Sequence, residues 1–150
     1  MPRIRQLKTA SGVFENDERR KAERLASSER AVRDGEAKLA ELGNYRNAYL
    51  RDFASRAGGG MTAARARDYQ AFLARLEEAL REQTEIVARA RAQREELLDK
   101  WRGAARQAAA VDRALERGLT EEQRQHERRE QFECDERAQR NWSSGARRVP

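Results

Sequence analysis

Residues 58–62 read Gly58-Gly59-Gly60-Met61-Thr62, and the fold depends on this stretch. Three consecutive glycines favour a turn, because glycine enters the left-handed region freely and loses the most backbone entropy in a helix. Thr62 is a typical helix N-cap, since its hydroxyl accepts a backbone N–H two or three residues later. The stretch therefore predicts a first helix, a short turn and a second helix.

Both arms beside the turn carry apolar residues at alternating steps of three and four. Nine of fifteen such positions are apolar from Ile4 to Phe53, and twelve of fifteen, counting alanine, from Tyr69 to Gly118. A repeat sustained over seven heptads is typical of a coiled-coil seam. Because helices joined by a short turn pack antiparallel, the pattern predicts an all-α fold, a long antiparallel two-helix coiled-coil hairpin.

The position of the turn also predicts a register. Folding about Gly59 and Gly60 places Ile4 opposite the region of Leu115. A helix of fifty residues is about 75 Å long at 1.5 Å per residue. We therefore expect a rod whose second arm has no partner beyond about residue 116.

The second arm changes character where its partner ends. Gly118 suits the position after a helix C-terminus, and Thr120 with Gln123 is a capping-box pattern for a new helix. The polar C-terminal extension at 121–140 is then a solvated helix or one ordered by a partner. We expect one coiled-coil domain over 1–150, with a first helix at about 3–56, a turn at 57–62, a second helix at about 63–140 and a frayed tail at 141–150.

The composition argues against a compact enzyme. Apolar residues make up 38% of the 150 residues and charged residues 39%, against about 45–50% and about 25% in an average domain. The single Cys134 fits a reducing compartment, and no apolar run approaches the ~18 residues that span a membrane. We therefore expect a cytoplasmic protein. The net charge of +6 comes from interleaved acids and bases rather than a basic block, which argues against nucleic-acid binding.

The motifs of common catalytic and metal sites are absent from the sequence. The glycine triplet lacks the following Lys-Ser/Thr of a phosphate-binding loop. Glu122, His126 and Glu130 line one helix face near Cys134, but without a closing element we expect surface residues rather than a zinc site. We therefore expect no enzyme, no cofactor and no metal, since a two-helix rod offers no pocket.

Aromatic residues gather near the turn. Two explanations stand: they anchor the glycine-rich turn, or some form an exposed patch that docks a partner. Both explanations apply if Tyr45 and Phe72 point outward while Tyr49, Phe53 and Tyr69 point inward. The aromatic cluster consists of Tyr45, Tyr49, Phe53, Tyr69 and Phe72.

These segments resemble the FliJ family of flagellar export proteins. The resemblance rests on residues 42–49, Leu-Gly-Asn-Tyr-Arg-Asn-Ala-Tyr, and residues 69–80, Tyr-Gln-Ala-Phe-Leu-Ala-Arg-Leu-Glu-Glu-Ala-Leu. Its most specific part is Tyr-x3-Tyr before the turn and Tyr-x2-Phe-x3-Leu after it. It continues through Trp101-Arg102 to the polar end at 135–140, so it covers nearly the whole chain.

The resemblance implies a soluble component of the flagellar type III protein export apparatus, with a role in flagellum biogenesis, motility and chemotaxis. Family members form a coiled-coil stalk that resembles the gamma subunit of rotary F-type ATPases. They stimulate the hexameric export ATPase FliI, contact the cytoplasmic part of the gate protein FlhA and handle empty export chaperones. The implied location is the cytoplasm, peripheral at the inner membrane of the flagellar base.

The resemblance also assigns a gate-facing surface, which we call the docking face. Lys38 departs from the neutral amide usual in the family, and Gln83 departs from a histidine. These departures lie at the edges of the face, outside its aromatic centre. The docking face comprises Lys38, Leu42, Tyr45, Tyr49, Phe72, Leu76, Ala79 and Gln83.

Two other functions remain open at this point. The nearest is the equivalent stalk of a virulence injectisome, of the YscO type, which the same coiled-coil pattern also fits. The other is a basic coiled-coil nucleic-acid-binding protein, which needs a continuous arginine row on one face. The interleaved glutamates argue against that row.

Overall fold

The computed structural model describes residues 2–146, of which 97% are helical. Helix α1 runs over Pro2–Gly58 and helix α2 over Ala63–Ala146. The two helices pack against each other, and the described residues contain no strand, which confirms the all-α fold class. In the same range, neither helix has a stretch long and apolar enough to cross a membrane.

The turn between the helices is held by its own backbone and by one cap. Gly59 and Gly60 donate their N–H groups to the carbonyl oxygens of Arg56 and Ala57, at 3.2 and 3.3 Å. Gly60 has a φ of +93°, a conformation that side-chain-bearing residues rarely adopt. The Arg65 N–H donates to Thr62 Oγ1 at 3.2 Å, so Thr62 is the N-cap that the sequence predicts.

The helices group into two compact units, and residues 19–103 form one of them. This hairpin unit contains the turn and the aromatic cluster. Its most deeply buried apolar side chains are Val32, Leu76 and Val87. Close approach is possible because Gly35 carries no side chain: a Cβ there would lie 3.2 Å from Val87 Cγ2.

The other unit, which we call the terminal unit, consists of residues 2–18 and 104–146 within the described range. Its buried side chains are small, namely Ala104 and Ala108. The Ser11 hydroxyl donates to Asp112 Oδ1 at 2.6 Å and ties the two segments together. Gly118 lies against the side chains of Ile4 and Leu7.

The register in the terminal unit differs from the expected one. A Cβ at Gly118 would lie 3.7 Å from Ile4 Cγ1, so Ile4 lies near Gly118, three residues beyond the Leu115 expected opposite it. Part of this difference arises because the turn is centred one residue later than the expected centre between Gly59 and Gly60. Helix α1 continues through Gly58 and α2 begins at Ala63, so the centre lies between Gly60 and Met61.

The break that the local signals at Gly118, Thr120 and Gln123 suggest does not form, because α2 is continuous from Ala63 to Ala146. A helical glycine costs about 1 kcal/mol relative to alanine, but this one lets Ile4 and Leu7 approach the helix backbone. The Thr120 hydroxyl donates to the Glu116 carbonyl at 2.9 Å, and Gln123 donates to Glu127, so neither residue forms a capping box.

The C-terminal part of α2 is a solvated helix. Every residue from His126 to Ala146 is exposed. Pairs one turn apart support it, with His126 Nε2 at 3.1 Å from Glu130 and Arg140 at 3.4 Å from Glu136. The helix extends six residues past the expected end at 140. Of the expected frayed tail, residues 141–146 are therefore helical, and residues 147–150 lie outside the described range.

Candidate protein-docking face

The aromatic cluster is a continuous stack of rings shared by the two helices. The Tyr49 ring lies 4.9 Å from the Tyr69 ring and 4.7 Å from the Phe72 ring, measured between centroids. Phe53 extends the stack at 5.3 Å from Tyr69, and Tyr45 meets Phe72 edge-on at 6.2 Å. Tilted and edge-to-face arrangements at these distances are favourable for aromatic pairs. Each ring is therefore held by rings of the opposite helix.

Exposure divides the cluster. Tyr45 is 54% exposed, whereas Tyr49, Phe53, Tyr69 and Phe72 are half-buried. The cluster thus anchors the end of the hairpin unit and presents one tyrosine to the solvent. Of the two rings expected to point outward, Tyr45 is exposed, whereas Phe72 is half-buried with Tyr45 packed edge-on against it.

The eight residues assigned to the docking face do not all reach the surface. Lys38 and Tyr45 are exposed, and Leu42, Tyr49, Phe72 and Ala79 are half-buried. Leu76 and Gln83, at 7% and 5% exposure, lie inside the hairpin unit. The surface that a partner can touch is therefore centred on Tyr45 and Phe72.

Gln83 makes an internal hydrogen bond across the two helices. Its Nε2 donates to the carbonyl oxygen of Gly35 at 3.0 Å. A buried amide requires such a partner, because an unpaired donor in the interior costs about 1–3 kcal/mol. The geometry of Gln83 is that of a residue that joins the helices.

An arginine covers the open side of Phe72. The guanidinium carbon of Arg75 lies 5.9 Å from the centroid of the Phe72 ring. A cation within about 6 Å of a ring face is attracted to it. Phe72 is thus positioned by Tyr45, Tyr49 and Arg75, which limits the freedom that it would lose on binding a partner.

Asp52, Arg56 and Tyr69 form a hydrogen-bonded group beside the aromatic cluster, and the hydrogen bonds shift the pKa values of its members. The Tyr69 hydroxyl donates to Asp52 Oδ2 at 2.7 Å, and Arg56 Nε donates to Asp52 Oδ1 at 3.2 Å. The hydrogen bond from Tyr69, and then that from Arg56, lowers the pKa of Asp52 below its usual value. The bond to Asp52 raises the pKa of Tyr69 above 10.0. The group joins α1 to α2 next to the turn.

Ile86 is a further exposed apolar residue of α2, outside the eight residues of the docking face. It is 47% exposed and lies seven residues after Ala79, which itself lies seven after Phe72. Residues spaced by seven share a helix face, so this row runs on from the aromatic cluster. The heptad spacing from Phe72 was the signal in the sequence that could have found it.

The terminal unit contains a groove of about 720 Å³. Its apolar walls are Ile4 and Leu119, and Arg5, Lys8 and Arg129 supply positive charge. Glu122 is the acidic residue in the lining. The groove therefore offers apolar contact and a net positive rim to a partner.

The His126 and Cys134 region has the geometry of a solvated surface. Within residues 2–146, no three side chains of His, Cys, Asp or Glu come together in a way that could hold a metal ion. His126 pairs with Glu130, and Cys134 is an exposed free thiol. His126, Glu130 and Cys134 all belong to α2, and all three are exposed.

Comparison with known families agrees with the geometry of the two helices. The family model described as "Flagellar FliJ protein" matches residues 6–147, nearly the whole chain. No curated protein and no solved structure matches the chain. A match of this extent covers both helices, the turn and the aromatic cluster. The chain therefore belongs to the FliJ family, whose members are components of the flagellar type III export apparatus.

Proposed function

We propose that this chain is a coupling stalk of the flagellar export apparatus. In this proposal the hairpin unit binds the cytoplasmic domain of the gate protein FlhA, and the terminal unit binds the hexameric export ATPase FliI and stimulates its hydrolysis. Membership in the FliJ family supports the setting. The observation that carries the gate contact is the exposed Tyr45 packed against a preorganised Phe72.

The physical argument for gate binding is preorganisation. Binding costs about 0.5–1.5 kcal/mol for each mobile side chain that an interface immobilises. Phe72 is already fixed by two rings and one guanidinium, so little of that cost remains. Aromatic residues of this kind are common among the few that supply most of the binding energy.

The terminal unit favours a partner with acidic surfaces. The groove combines the positive charges of Arg5, Lys8 and Arg129 with apolar walls. Exposed charges interact over roughly 8 Å at physiological salt, so binding to the ATPase should weaken as salt rises. The same unit would contribute no catalytic group; hydrolysis belongs to the ATPase.

Three further assignments rest on the family alone. The chain would handle empty export chaperones at the flagellar base. Its location would be the cytoplasm, peripheral at the inner membrane through FliI and FlhA. Its absence would impair motility, and through motility chemotaxis.

Removal of the two aromatic side chains tests the gate contact. We expect Tyr45→Ala with Phe72→Ala to weaken binding of the FlhA cytoplasmic domain by about tenfold to a hundredfold, since anchor residues each contribute more than about 1 kcal/mol. Isothermal titration calorimetry measures the affinity, and circular dichroism checks that the helices persist. The matched control is Phe132→Ala with Trp142→Ala, which removes two exposed aromatic residues of the terminal unit. Equal affinity for all three proteins would contradict the proposal.

A further inference from the structure

The docking face is made by both helices, so its shape depends on their register. Tyr45 belongs to α1 and Phe72 to α2, and their rings lie 6.2 Å apart. One helical turn is about 5.4 Å. A slip of α2 by one turn would therefore separate the pair and remove the surface that a partner recognises.

Two exposed polar contacts also join the helices in this unit, Tyr69 with Asp52 and Arg91 with Glu36, but the aliphatic interior of the seam by itself specifies register weakly. The interior residues Leu76 and Val87 are aliphatic, and an aliphatic side chain accepts several neighbours at similar cost. A polar residue at an interior seam position behaves differently, because it selects the one register in which its hydrogen bond is made. Gln83 is the buried polar residue of the described chain.

Gln83 and Gly35 are matched in two ways, by a hydrogen bond and by the space that the missing side chain of Gly35 leaves. The Gln83 amide donates to the Gly35 carbonyl at 3.0 Å, which requires close approach of a side chain to the backbone of α1. Gly35 permits that approach: a Cβ there would lie 3.2 Å from Val87 Cγ2 and 3.7 Å from Gln83 Nε2. In a shifted register the amide would meet an aliphatic surface or a side-chain-bearing residue and would lose its partner.

We infer that Gln83 and Gly35 form a register lock that positions Tyr45 against Phe72, and that Gln83 acts as a positioning residue without touching the partner. Its effect on gate binding rests on the proposed function. Its effect on register does not, because the lock acts within the free protein. The lock lies eleven residues, about 16 Å along α2, from Phe72.

Two substitutions separate positioning from direct contact. Gln83→Leu keeps the side-chain volume and removes the hydrogen bond, whereas Gln83→His restores an N–H donor. We expect Gln83→Leu to keep its helicity and its thermal midpoint, since burying an apolar side chain in place of an amide does not destabilise a seam. We expect the single set of nuclear Overhauser contacts between the Tyr45 and Phe72 rings to weaken or to split into several sets. Gln83→His should restore one set.

Affinity for the FlhA cytoplasmic domain is the second readout. If the binding-competent register falls to a fraction of the population, the apparent dissociation constant rises by the inverse of that fraction, and we expect about threefold to tenfold. Gly35→Ala, which crowds Val87, should act in the same direction. Gln107→Leu, an exposed glutamine of the terminal unit, is the matched control and should change neither readout.

The outcomes are distinguishable. Unchanged ring contacts between Tyr45 and Phe72 in Gln83→Leu would overturn the lock. If affinity for the gate domain falls while these contacts are unchanged, Gln83 touches the partner directly. If the unsubstituted protein does not bind the gate domain, the proposed function fails, while the ring contacts still test the lock.

Discussion

Arg46 occupies a seam position between Leu42 and Tyr49, where an apolar residue would normally lie. It is half-buried, and its Nε has no hydrogen-bond partner and no contact with solvent. Another nitrogen of the same guanidinium, Nη2, donates to Asn47 Oδ1 at 3.4 Å. A donor buried without a partner lowers the stability of the hairpin unit.

Replacement of this arginine should therefore stabilise the protein. We expect Arg46→Met to raise the free energy of unfolding by about 1 kcal/mol, because methionine fills the seam without an unpaired donor. Urea denaturation followed by circular dichroism measures the change. Arg33→Met, at an exposed position on the same helix, should stay within about 0.5 kcal/mol of the parent. A lower stability for Arg46→Met would show that the guanidinium makes a contact that outweighs the buried donor.

Single residues also show where prediction from sequence ends. The spacing of tyrosines and phenylalanines located the aromatic cluster, because rings at steps of three and four must share a helix face. The family resemblance grouped Leu76 and Gln83 with Phe72 and Ala79 on one face, although the first two are buried and the second two are half-buried. Gln83 falls at a seam position of the three-four repeat, so the repeat places it inside; its partner, the backbone carbonyl of Gly35, is what no pattern of side chains reveals.

At the scale of elements, local backbone chemistry decides the turn. Thr62 and Gly60 act at the turn as expected, since a cap and a positive φ are local properties. The local break signal at Gly118 is not realised, because Ile4 and Leu7 pack against that glycine and the helix continues. Contacts between distant segments overrode a local signal there.

The hydrogen bond between Asp52 of α1 and Tyr69 of α2 should make the junction of the two helices pH-dependent. The lowered pKa of Asp52 contributes stability that is present above its ordinary pKa, about 4, and is lost as the pH falls through the depressed value. The raised pKa of Tyr69 contributes stability that is present below about pH 10 and is lost as the pH rises through the elevated value. The bond therefore contributes fully from about pH 4 to about pH 10.

Tyr69→Phe tests this dependence. We expect its melting temperature to lie below that of the parent by a constant amount between pH 5 and pH 9, and the gap to narrow below about pH 4 and above about pH 10. Thermal unfolding at a series of pH values measures the gap. Asp52→Asn keeps an acceptor for the tyrosine and removes the carboxylate titration, so it should lose the acid dependence. A gap of constant size at every pH would refute the coupling.

At the scale of the whole molecule, the two compact units present different surfaces. The hairpin unit carries the aromatic cluster, which is shaped by ring packing and by the Gln83–Gly35 bond. The terminal unit carries small buried alanines, a positive groove and an exposed helical extension. Family membership places both in the flagellar export apparatus, and the proposed function assigns one partner to each.

The ATP hydrolysis rate of the cognate export ATPase, with and without this protein at near-physiological salt, tests the coupling account most directly. The account predicts stimulation that rises with concentration, saturates and weakens as salt is added. It also predicts that Tyr45→Ala with Phe72→Ala leaves this stimulation intact, since those residues belong to the hairpin unit. An unchanged hydrolysis rate, with the protein verified as helical and the ATPase verified as active, would contradict the account.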